Sequence, residues 1–254
     1  MNYNRLIIIG DVHGRSFWRD AVKRNPDGRF IFLGDYLDPY PDEGYTDEDA
    51  FQSLEDIISF KKEHPDNVTL LWGNHDLHYL YPEIMGSRYD IDHAERNAHM
   101  FWDNQSLFQM AYEVNAGGKH FLFSHAGIGR QWISSNFPKL DDGDITAELM
   151  NDLVGYPEFM KALEDVSILR GGDKKYGSMI WADPRELIKE ENHLHGVIQV
   201  FGHTQMDMPF NYDDRLYCLD CRKAFYLDMK EGGIYYLSYD ERITKNDINV
   251  INTI

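Results

Sequence analysis

The sequence contains very little cysteine. Among its 254 residues only Cys218 and Cys221 are cysteines, too few for a disulfide framework. Their Cys-x-x-Cys spacing is compatible with a zinc or redox pair, but no second pair accompanies them. They lie at a strand-like run, Leu216–Leu219, and we therefore interpret them as structural thiols.

Long apolar runs and an excess of positive charge are also missing. No stretch approaches the length of a membrane span, and the run Leu6–Ile9 is too short for a signal peptide and has no basic segment before it. We therefore expect a cytoplasmic protein without a membrane partner. Lys and Arg number 25 against 43 Asp and Glu, a net charge of −18. Because nucleic-acid affinity rests largely on phosphate neutralisation by Lys and Arg, nucleic acid is not an expected partner.

The sequence does contain an alternation of strand-like and helix-like segments, typical of an α/β fold. Short apolar runs predict five buried strands: Leu6–Ile9, Phe30–Leu33, Val68–Trp72, Phe121–Phe123 and Val197–Phe201. Helical patterns occupy Phe17–Arg24 and the segment that follows Thr46, which we interpret as an N-cap. Residues about 77–112 are predicted to be helical, and residues 215–239 alternate as antiparallel strands do.

No internal repeat, low-complexity linker or clear domain boundary interrupts this pattern. A hydrophobic content of 43% supports a sizeable core. We therefore predict one domain covering residues 1–254, in which residues about 131–175 are a possible helical lobe.

Polar residues follow each of the five predicted strands at the point where the strand ends. Carboxyl ends of parallel strands are where α/β sheets place their chemistry. In four of the five groups a glycine stands directly before the polar residue: Gly10, Gly34, Gly73 and Gly202. The candidate ligands are Asp11, His13, Asp35, Asn74, His75, His125 and His203.

These residue types suit a centre of two divalent metal ions. A carboxylate has two oxygens and can bridge two ions, while an amide oxygen and imidazoles complete the shells. Two such ions, roughly 3.5–4 Å apart, lower the pKa of a bound water and clamp a phosphoryl group. Taken singly, each histidine is more often an ordinary packed or surface residue, and the ordered set is what favours the metal site.

The ordered set resembles the motifs of the calcineurin-like metallophosphoesterases, and more narrowly their phosphoprotein-phosphatase branch. Ile180–Pro184 is similar to the Trp-Ser-Asp-Pro segment of that branch. Gly73–His78 and Ser124–Ile128 are also similar to the bacterial symmetrical diadenosine tetraphosphate hydrolases. The segments that carry the resemblance are Gly10–Gly14, Gly34–Asp38, Gly73–Asp76, His125–Gly127 and Gly202–Thr204.

The resemblance implies a four-layer αββα sandwich and two divalent ions of manganese, iron or zinc. It implies six metal ligands in two shells around a shared carboxylate: Asp11 and His13 for the first ion, Asn74, His125 and His203 for the second, and Asp35 bridging both. It further implies that His75 is the general acid, that Asp38 orients it, and that a metal-bridging hydroxide attacks the phosphorus directly.

Two further polar residues, which lie close in sequence to the motifs, are interpreted as structural. We interpret His78 as a helix-face residue. Asp183, which precedes Pro184, is interpreted as an N-cap with proline at the first helical position.

The sequence departs from the resembled branch at two positions. Phosphatases of that branch carry an arginine where this chain has Pro39, so one phosphate-binding arginine is missing. Arg130 is the candidate closest in sequence to a ligand, although a surface arginine is the more common case. Other possible substitutes are Arg88, Arg96, Arg170 and Arg185. Thr204 replaces a histidine of the broader family, as is common in the phosphatase branch.

The function expected from this pattern is hydrolysis of a phosphorylated substrate by two metal ions. The candidate substrates are phosphoproteins, small phosphomonoesters and dinucleoside polyphosphates. The alternatives are a phosphodiesterase or nuclease, and a catalytically silent metal-binding interaction protein. The catalytically silent protein is disfavoured because such proteins usually lose a metal ligand or the acid histidine.

Overall fold

Eleven strands form two sheets in the part of the chain that the computed structural model describes, residues 4–84 and 86–245. Of the predicted domain 1–254, residues 1–3, 85 and 246–254 lie outside this description. The strands are β1 (Arg5–Ile9), β2 (Arg29–Phe32), β3 (Val68–Leu71), β4 (Phe108–Gln109), β5 (Ala111–Ala116), β6 (Lys119–Ser124), β7 (Ile198–Phe201), β8 (Phe210–Tyr212), β9 (Leu216–Cys218), β10 (Ala224–Asp228) and β11 (Ile234–Tyr236).

Each sheet combines a run of parallel strands with antiparallel strands at one or both edges. The six-stranded sheet has the order β11-β10-β1-β2-β3-β4, in which β1 to β4 are parallel and β10 is antiparallel to β1. The five-stranded sheet has the order β5-β6-β7-β9-β8, with β6, β7 and β9 parallel. Within each parallel group the carboxyl ends therefore share one edge.

Alternating side chains divide the core into layers, because successive residues of a strand face opposite sides of the sheet. Leu6 and Ile8 of β1 pack with Phe121 and Phe123 of β6 between the two sheets. Ile7 and Ile9 belong to a second cluster that contains side chains of the helices. This two-sheet arrangement with outer helices confirms the predicted αββα fold class.

The helices lie mostly where helical patterns predict them. They are α1 (Phe17–Arg24), α2 (Asp47–Glu63), α3 (Asn74–Leu77), α4 (Ala94–Asn104), α5 (Arg130–Asn136), α6 (Ala147–Asp152), α7 (Pro157–Leu163) and α8 (Pro184–Leu187). Thr46 caps α2, since its hydroxyl accepts a hydrogen bond from the Asp49 amide at 3.1 Å. Asp183 caps α8 by accepting from the Arg185 amide at 2.9 Å. The possible helical lobe, residues 131–175, contains α6, α7 and most of α5.

The helical prediction for residues about 77–112 is confirmed only for α4 and the 3₁₀ turn Gln105–Leu107. The described residues between α3 and α4 form turns, and the end of the predicted segment forms strands. Phe108–Gln109 pairs with β3, and Ala111–Ala116 forms a hairpin with β6 through Gly117 and Gly118. Both strands lie at sheet edges, and β5 carries only two buried residues, so its apolar alternation is weak. Because β4 and β5 were not predicted, the fourth and fifth strands expected from the sequence, Phe121–Phe123 and Val197–Phe201, correspond to β6 and β7.

Both cysteines are free and buried. Burial raises the pKa of Cys218 well above its ordinary value and that of Cys221 to about 12. Cys218 also donates to the carbonyl oxygen of Gly202 at 3.2 Å. Because the thiolate is the reactive form, the geometry agrees with structural thiols.

We expect both thiols to resist a disulfide reagent in the native protein at mildly alkaline pH. The raised pKa values and burial should slow the reaction by roughly 100-fold or more relative to an exposed thiol. The measurement is absorbance after addition of dithionitrobenzoate to native protein and to protein in denaturant. Rapid labelling of the native protein would contradict the structural assignment.

Among the described residues, no helix has both the length and the apolar character that crossing a bilayer requires.

Candidate metal centre

The carboxyl edges of the two sheets bring the predicted ligands together. The six-stranded sheet contributes the residues that follow β1, β2 and β3, and the five-stranded sheet contributes those that follow β6 and β7. All of these side chains are buried except that of His203, which is partly buried. The residues placed here are Asp11, His13, Asp35, Asp38, Asn74, His75, His125 and His203.

Two of the glycines leave room for carboxylates. A Cβ atom on Gly73 would lie 2.1 Å from Oδ1 of Asp35, and one on Gly202 would lie 2.0 Å from Oδ1 of Asp11. Any side chain at either position would displace a carboxylate, so the pattern of glycine before a polar residue has a steric cause.

Four of the polar residues hold a left-handed backbone, which is uncommon outside glycine. Their φ angles are 43° for His13, 54° for Asp35, 58° for Asp38 and 64° for His203. Such conformations cost roughly 1–3 kcal/mol each and persist where surrounding contacts enforce them. The amides of Val12 and His13 both donate to the Asp35 carbonyl, at 3.0 and 2.8 Å.

Asp76 ties the loops after β2 and β3 to each other. Its fully buried carboxylate accepts hydrogen bonds from the amides of Asp35 and Tyr36, both at 2.9 Å, and of Gly73 at 2.7 Å. The motif therefore needs an acidic residue at this position for loop geometry.

Replacing Asp76 by alanine should destabilise the fold by roughly 3 kcal/mol, because three buried amides lose their acceptor. The measurement is urea denaturation followed by circular dichroism. Asp66→Ala, in the exposed turn before β3, is the control and should stay within about 0.5 kcal/mol of the parent. Equal stability of the two variants would contradict this role for Asp76.

The acceptor atoms form two groups that share one aspartate. Asp11, His13 and Asp35 form the first group, and Asp35, His125 and His203 form the second; within each group the ligand atoms lie within 4.8 Å of one another. Oδ2 of Asp35 lies 3.5 Å from Nε2 of His13 and 3.4 Å from Nε2 of His125. One carboxylate oxygen thus faces both groups.

Hydrogen bonds from the other ring nitrogen set the orientation of two histidines. Nδ1 of His13 donates to the carbonyl oxygen of Leu37 at 2.6 Å, and Nδ1 of His125 donates to that of Leu33 at 2.8 Å. In the neutral rings the lone pair is therefore on Nε2, which faces Asp35. This is the usual second contact of a metal-binding histidine.

Several atoms that can donate a lone pair converge in the second group. Nε2 of His125 lies 2.9 Å from Oδ1 of Asn74 and 3.1 Å from Nδ1 of His203. Nε2 of His203 is a buried atom with no hydrogen-bond partner among the described residues. A cation at this point would satisfy the converging lone pairs, so the donor set fits a metal ion.

The charges around the centre also favour a cation. Burial and the neighbouring Asp220 raise the pKa of Asp11 well above its ordinary value. Burial opposes a charged His125, yet Asp35 and Asp11 outweigh it and raise the pKa of His125 to about 10. A proton on His125 and a metal ion beside it are therefore alternative ways to balance the same carboxylates. Burial lowers the pKa of His13 to about 3, which keeps that ring neutral and able to donate a lone pair.

Beside the two groups, His75 is paired with Asp38. Nδ1 of His75 lies 2.6 Å from Oδ2 of Asp38, and both side chains are buried. The Tyr79 hydroxyl donates to Oδ1 of the same carboxylate. Asp38 is thus held from two sides, with the Nε2 atom of His75 on the opposite side of the ring from Asp38.

The sequence predicts His78 to be a helix-face residue, and in the structure that face points into the interior, toward Asp38. Its ring is fully buried at the end of α3, and Nε2 lies 2.8 Å from Oδ2 of Asp38. Spacing of three residues places His75 and His78 on one helix face, a signal that could have predicted the shared partner.

Asp220 is a further buried carboxylate that sequence reasoning missed. It follows β9, which is parallel to β7, so the strand-end argument applied to that strand would have found it. Burial raises its pKa to about 6, and Nη1 of Arg15 lies 3.7 Å from Oδ1.

The candidate arginines divide by their partners. Arg130 is half exposed and pairs with Asp142 at 3.0 Å. Asp142 lies in the segment between α5 and α6. Arg96 pairs with Glu48 at 2.6 Å, while Arg170 and Arg185 both pair with Asp183. Arg170 also donates to the Thr204 hydroxyl. Only Arg88, among these five, has a side chain in contact with two of the predicted site residues, His13 and His75.

The sequence model of the family described as Calcineurin-like phosphoesterase matches residues 4–207. A Caenorhabditis elegans protein, provisionally named a serine/threonine-protein phosphatase, is 23% identical over 211 residues, which are 80% of this chain and 39% of that protein. A second protein from the same organism with the same kind of name is 26% identical over 136 residues, 50% of this chain and 34% of its own length. The chain thus spans between a third and two fifths of these curated relatives.

Solved structures show the same fold. A cold-active protein-tyrosine phosphatase of a psychrophilic Shewanella species has a TM-score of 0.60 at 17% identity, covering 93% of this chain and 81% of its own. A Saccharomyces cerevisiae protein serine/threonine phosphatase with similarity to human PP5 has a TM-score of 0.53 at 15% identity, covering 96% of this chain and 82% of its own. Together with the family match, they confirm the resemblance that the strand-end motifs indicated.

Proposed function

The chain belongs to the calcineurin-like phosphoesterase family, and on this premise we propose that it hydrolyses phosphomonoesters at a centre of two divalent metal ions. The observation that carries the proposal is the pair of acceptor groups that share Asp35, with the His75–Asp38 pair beside them. Neither a single metal nor a purely structural site would require both features.

The proposed ligands follow the two groups. Asp11 and His13 hold the first ion, Asn74, His125 and His203 hold the second, and Asp35 is shared. When bound, the two ions neutralise the phosphoryl oxygens and lower the pKa of water. Mixed nitrogen and oxygen donors suit manganese, iron or zinc, and metal analysis of the purified protein distinguishes them.

We assign the proton delivery to His75. Because Nδ1 of His75 lies against Asp38, the proton for the leaving oxygen is carried on Nε2. Asp38 stabilises the charged imidazolium by its carboxylate, and the Tyr79 hydroxyl holds that carboxylate in place. The rings of His75 and His13 have centroids 5.1 Å apart, which places the acid next to the first group of ligands.

The substrate class that we propose is a phosphomonoester, either on a protein or on a small molecule. The names of the Caenorhabditis elegans relatives and of the two solved phosphatases support a phosphoprotein. Dinucleoside polyphosphates are a second candidate, since Gly73–His78 resembles the hydrolases that cleave them.

The deciding experiment compares substrates on protein loaded with Mn²⁺. The panel contains p-nitrophenyl phosphate, bis-p-nitrophenyl phosphate, a phosphoserine peptide, a phosphotyrosine peptide and a dinucleoside tetraphosphate. We expect turnover of the monoesters and little turnover of the diester. Preference for the diester would replace the proposal by phosphodiesterase activity, and metal binding without turnover of any substrate would replace it by a non-catalytic role.

A further inference from the structure

Arg88 is an arginine at the candidate centre that has no carboxylate partner within residues 4–84 and 86–245. We propose that its guanidinium binds a phosphoryl oxygen of the substrate between His13 and His75. The inference rests on the proposed function, because it assigns a residue for the anionic group of that substrate.

The backbone at residues 86 and 88 sets the position of the Arg88 side chain. The residue has a left-handed backbone, with φ of 58°, and the preceding Gly86 packs against α3, where an added Cβ atom would lie 3.1 Å from Nδ1 of His78. The chain therefore turns back toward the helix that carries His75. No side chain larger than hydrogen fits at residue 86 without a shift of this contact.

Four contacts orient the guanidinium. Nε donates to the carbonyl oxygen of Asp38 at 3.1 Å, and Cζ lies 3.7 Å from the centroid of the Tyr40 ring. Nη2 lies 3.5 Å from Nε2 of His13 and 3.4 Å from Nε2 of His75. The stacked, partly buried guanidinium thus directs one nitrogen between the first group of ligands and the proposed acid.

The acceptors that face Nη2 in the structure are weak ones. Its distances to Nε2 of His13 and to Nε2 of His75, 3.5 and 3.4 Å, are at the long limit for hydrogen bonds. The lone pair on Nε2 of His13 is also the one that a metal would take, since Nδ1 already donates to Leu37. An anionic oxygen placed between the two rings would therefore be a stronger acceptor for the Nη2 donors of Arg88.

Each of the other four candidate arginines already has a carboxylate partner. The carboxylates of Asp142, Asp183 and Glu48 pair with Arg130, with Arg170 and Arg185, and with Arg96. A phosphomonoester brings up to two negative charges to a place lined by Asp11, Asp35 and Asp38. An unpaired guanidinium beside them lowers the repulsion and adds charge-assisted hydrogen bonds.

The test measures binding of inorganic phosphate, so that it does not depend on turnover. Arg88→Met keeps much of the stacked length and removes the charge and the donors. Isothermal titration of the Mn²⁺-loaded protein should show that the Kd for phosphate rises roughly 10- to 100-fold, as expected for lost charge-assisted hydrogen bonds. Metal content, measured by mass spectrometry, should stay at the value of the parent.

A matched control is available at the opposite end of β1. Arg5 also stacks on a tyrosine, with Cζ 4.1 Å from the centroid of the Tyr226 ring. Arg5→Met removes a stacked guanidinium outside the candidate centre and should leave the Kd for phosphate unchanged. If Arg88→Met loses metal, Arg88→Gln, which retains a donor for the Asp38 carbonyl, is measured in its place with the same expectation.

Phosphate affinity equal to that of the parent, in an Arg88 variant with full metal content, would overturn the inference. The proposed function fails separately, by absence of monoester turnover in the parent protein. A parent that hydrolyses monoesters, combined with a fully active Arg88→Met variant of unchanged KM, would overturn the role of Arg88 alone.

Discussion

Replacing His75 by asparagine should lower kcat for a phosphoserine peptide by roughly 10²- to 10⁴-fold, the range typical of a lost general acid. Asparagine keeps a polar side chain of similar reach but cannot carry the proton to the leaving alkoxide. The metal content should stay unchanged, because His75 belongs to neither of the two groups of acceptors that share Asp35.

The leaving group provides a sharper readout than the loss of activity alone. Nitrophenolate leaves readily without a proton, whereas a serine alkoxide needs one. We therefore expect the loss in His75→Asn to be clearly smaller with p-nitrophenyl phosphate than with the peptide. Equal losses on both substrates would contradict the assignment of His75 as the acid.

The chain offers a matched histidine as a control for that experiment. His120 also faces a carboxylate, with Nε2 3.3 Å from Oε2 of Glu113, and lies near the start of β6, away from the strand end that carries His125. His120→Asn should retain the kcat of the parent on both substrates. A similar loss in this variant would point to a general effect on the protein.

The second large effect concerns Asp35. Asp35→Ala removes the only carboxylate that belongs to both groups of acceptors, among the groups found in the described residues. The protein should fall from about two bound ions to at most one, and kcat/KM should fall by roughly 10³-fold or more, since each ion supplies several kcal/mol of charge stabilisation. Metal analysis after dialysis, together with steady-state kinetics, measures both quantities.

The control for Asp35 is a cluster of carboxylates and a histidine at the surface. Asp47, Asp90 and His93 also lie close enough together to ligate an ion, but Asp47 is exposed and begins α2. Asp47→Ala should change neither metal content nor kcat/KM. Two ions retained in Asp35→Ala would contradict a shared carboxylate.

The sequence predicts which side chains converge at the candidate centre because the signal for each of them is local. An apolar run ends, a glycine follows, and the next polar residue stands at the carboxyl edge; parallel pairing then brings distant edges together. The steric reason for Gly73 and Gly202 appears only in three dimensions, where the carboxylates of Asp35 and Asp11 fill the space of a side chain.

The parts that the sequence does not predict depend on long-range packing. β4 and β5 are edge strands whose partners lie in other segments, and their own residues show little alternation. Arg88 follows no strand, and its approach to His13 depends on a left-handed turn of the backbone. His78 and Asp220 do have a signal in the sequence, helix-face spacing for His78 and a strand-end position for Asp220.

The hydrogen bonds between the His203 amide and the Asp11 carboxylate join residues 192 positions apart, across the two sheets. Contacts of such sequence separation close large loops, and we expect them to form late in folding. A metal ion that needs both sheets in place would then bind after the rate-limiting step. Bound metal should therefore slow unfolding while leaving the folding rate nearly unchanged, which would increase the kinetic stability of the native state.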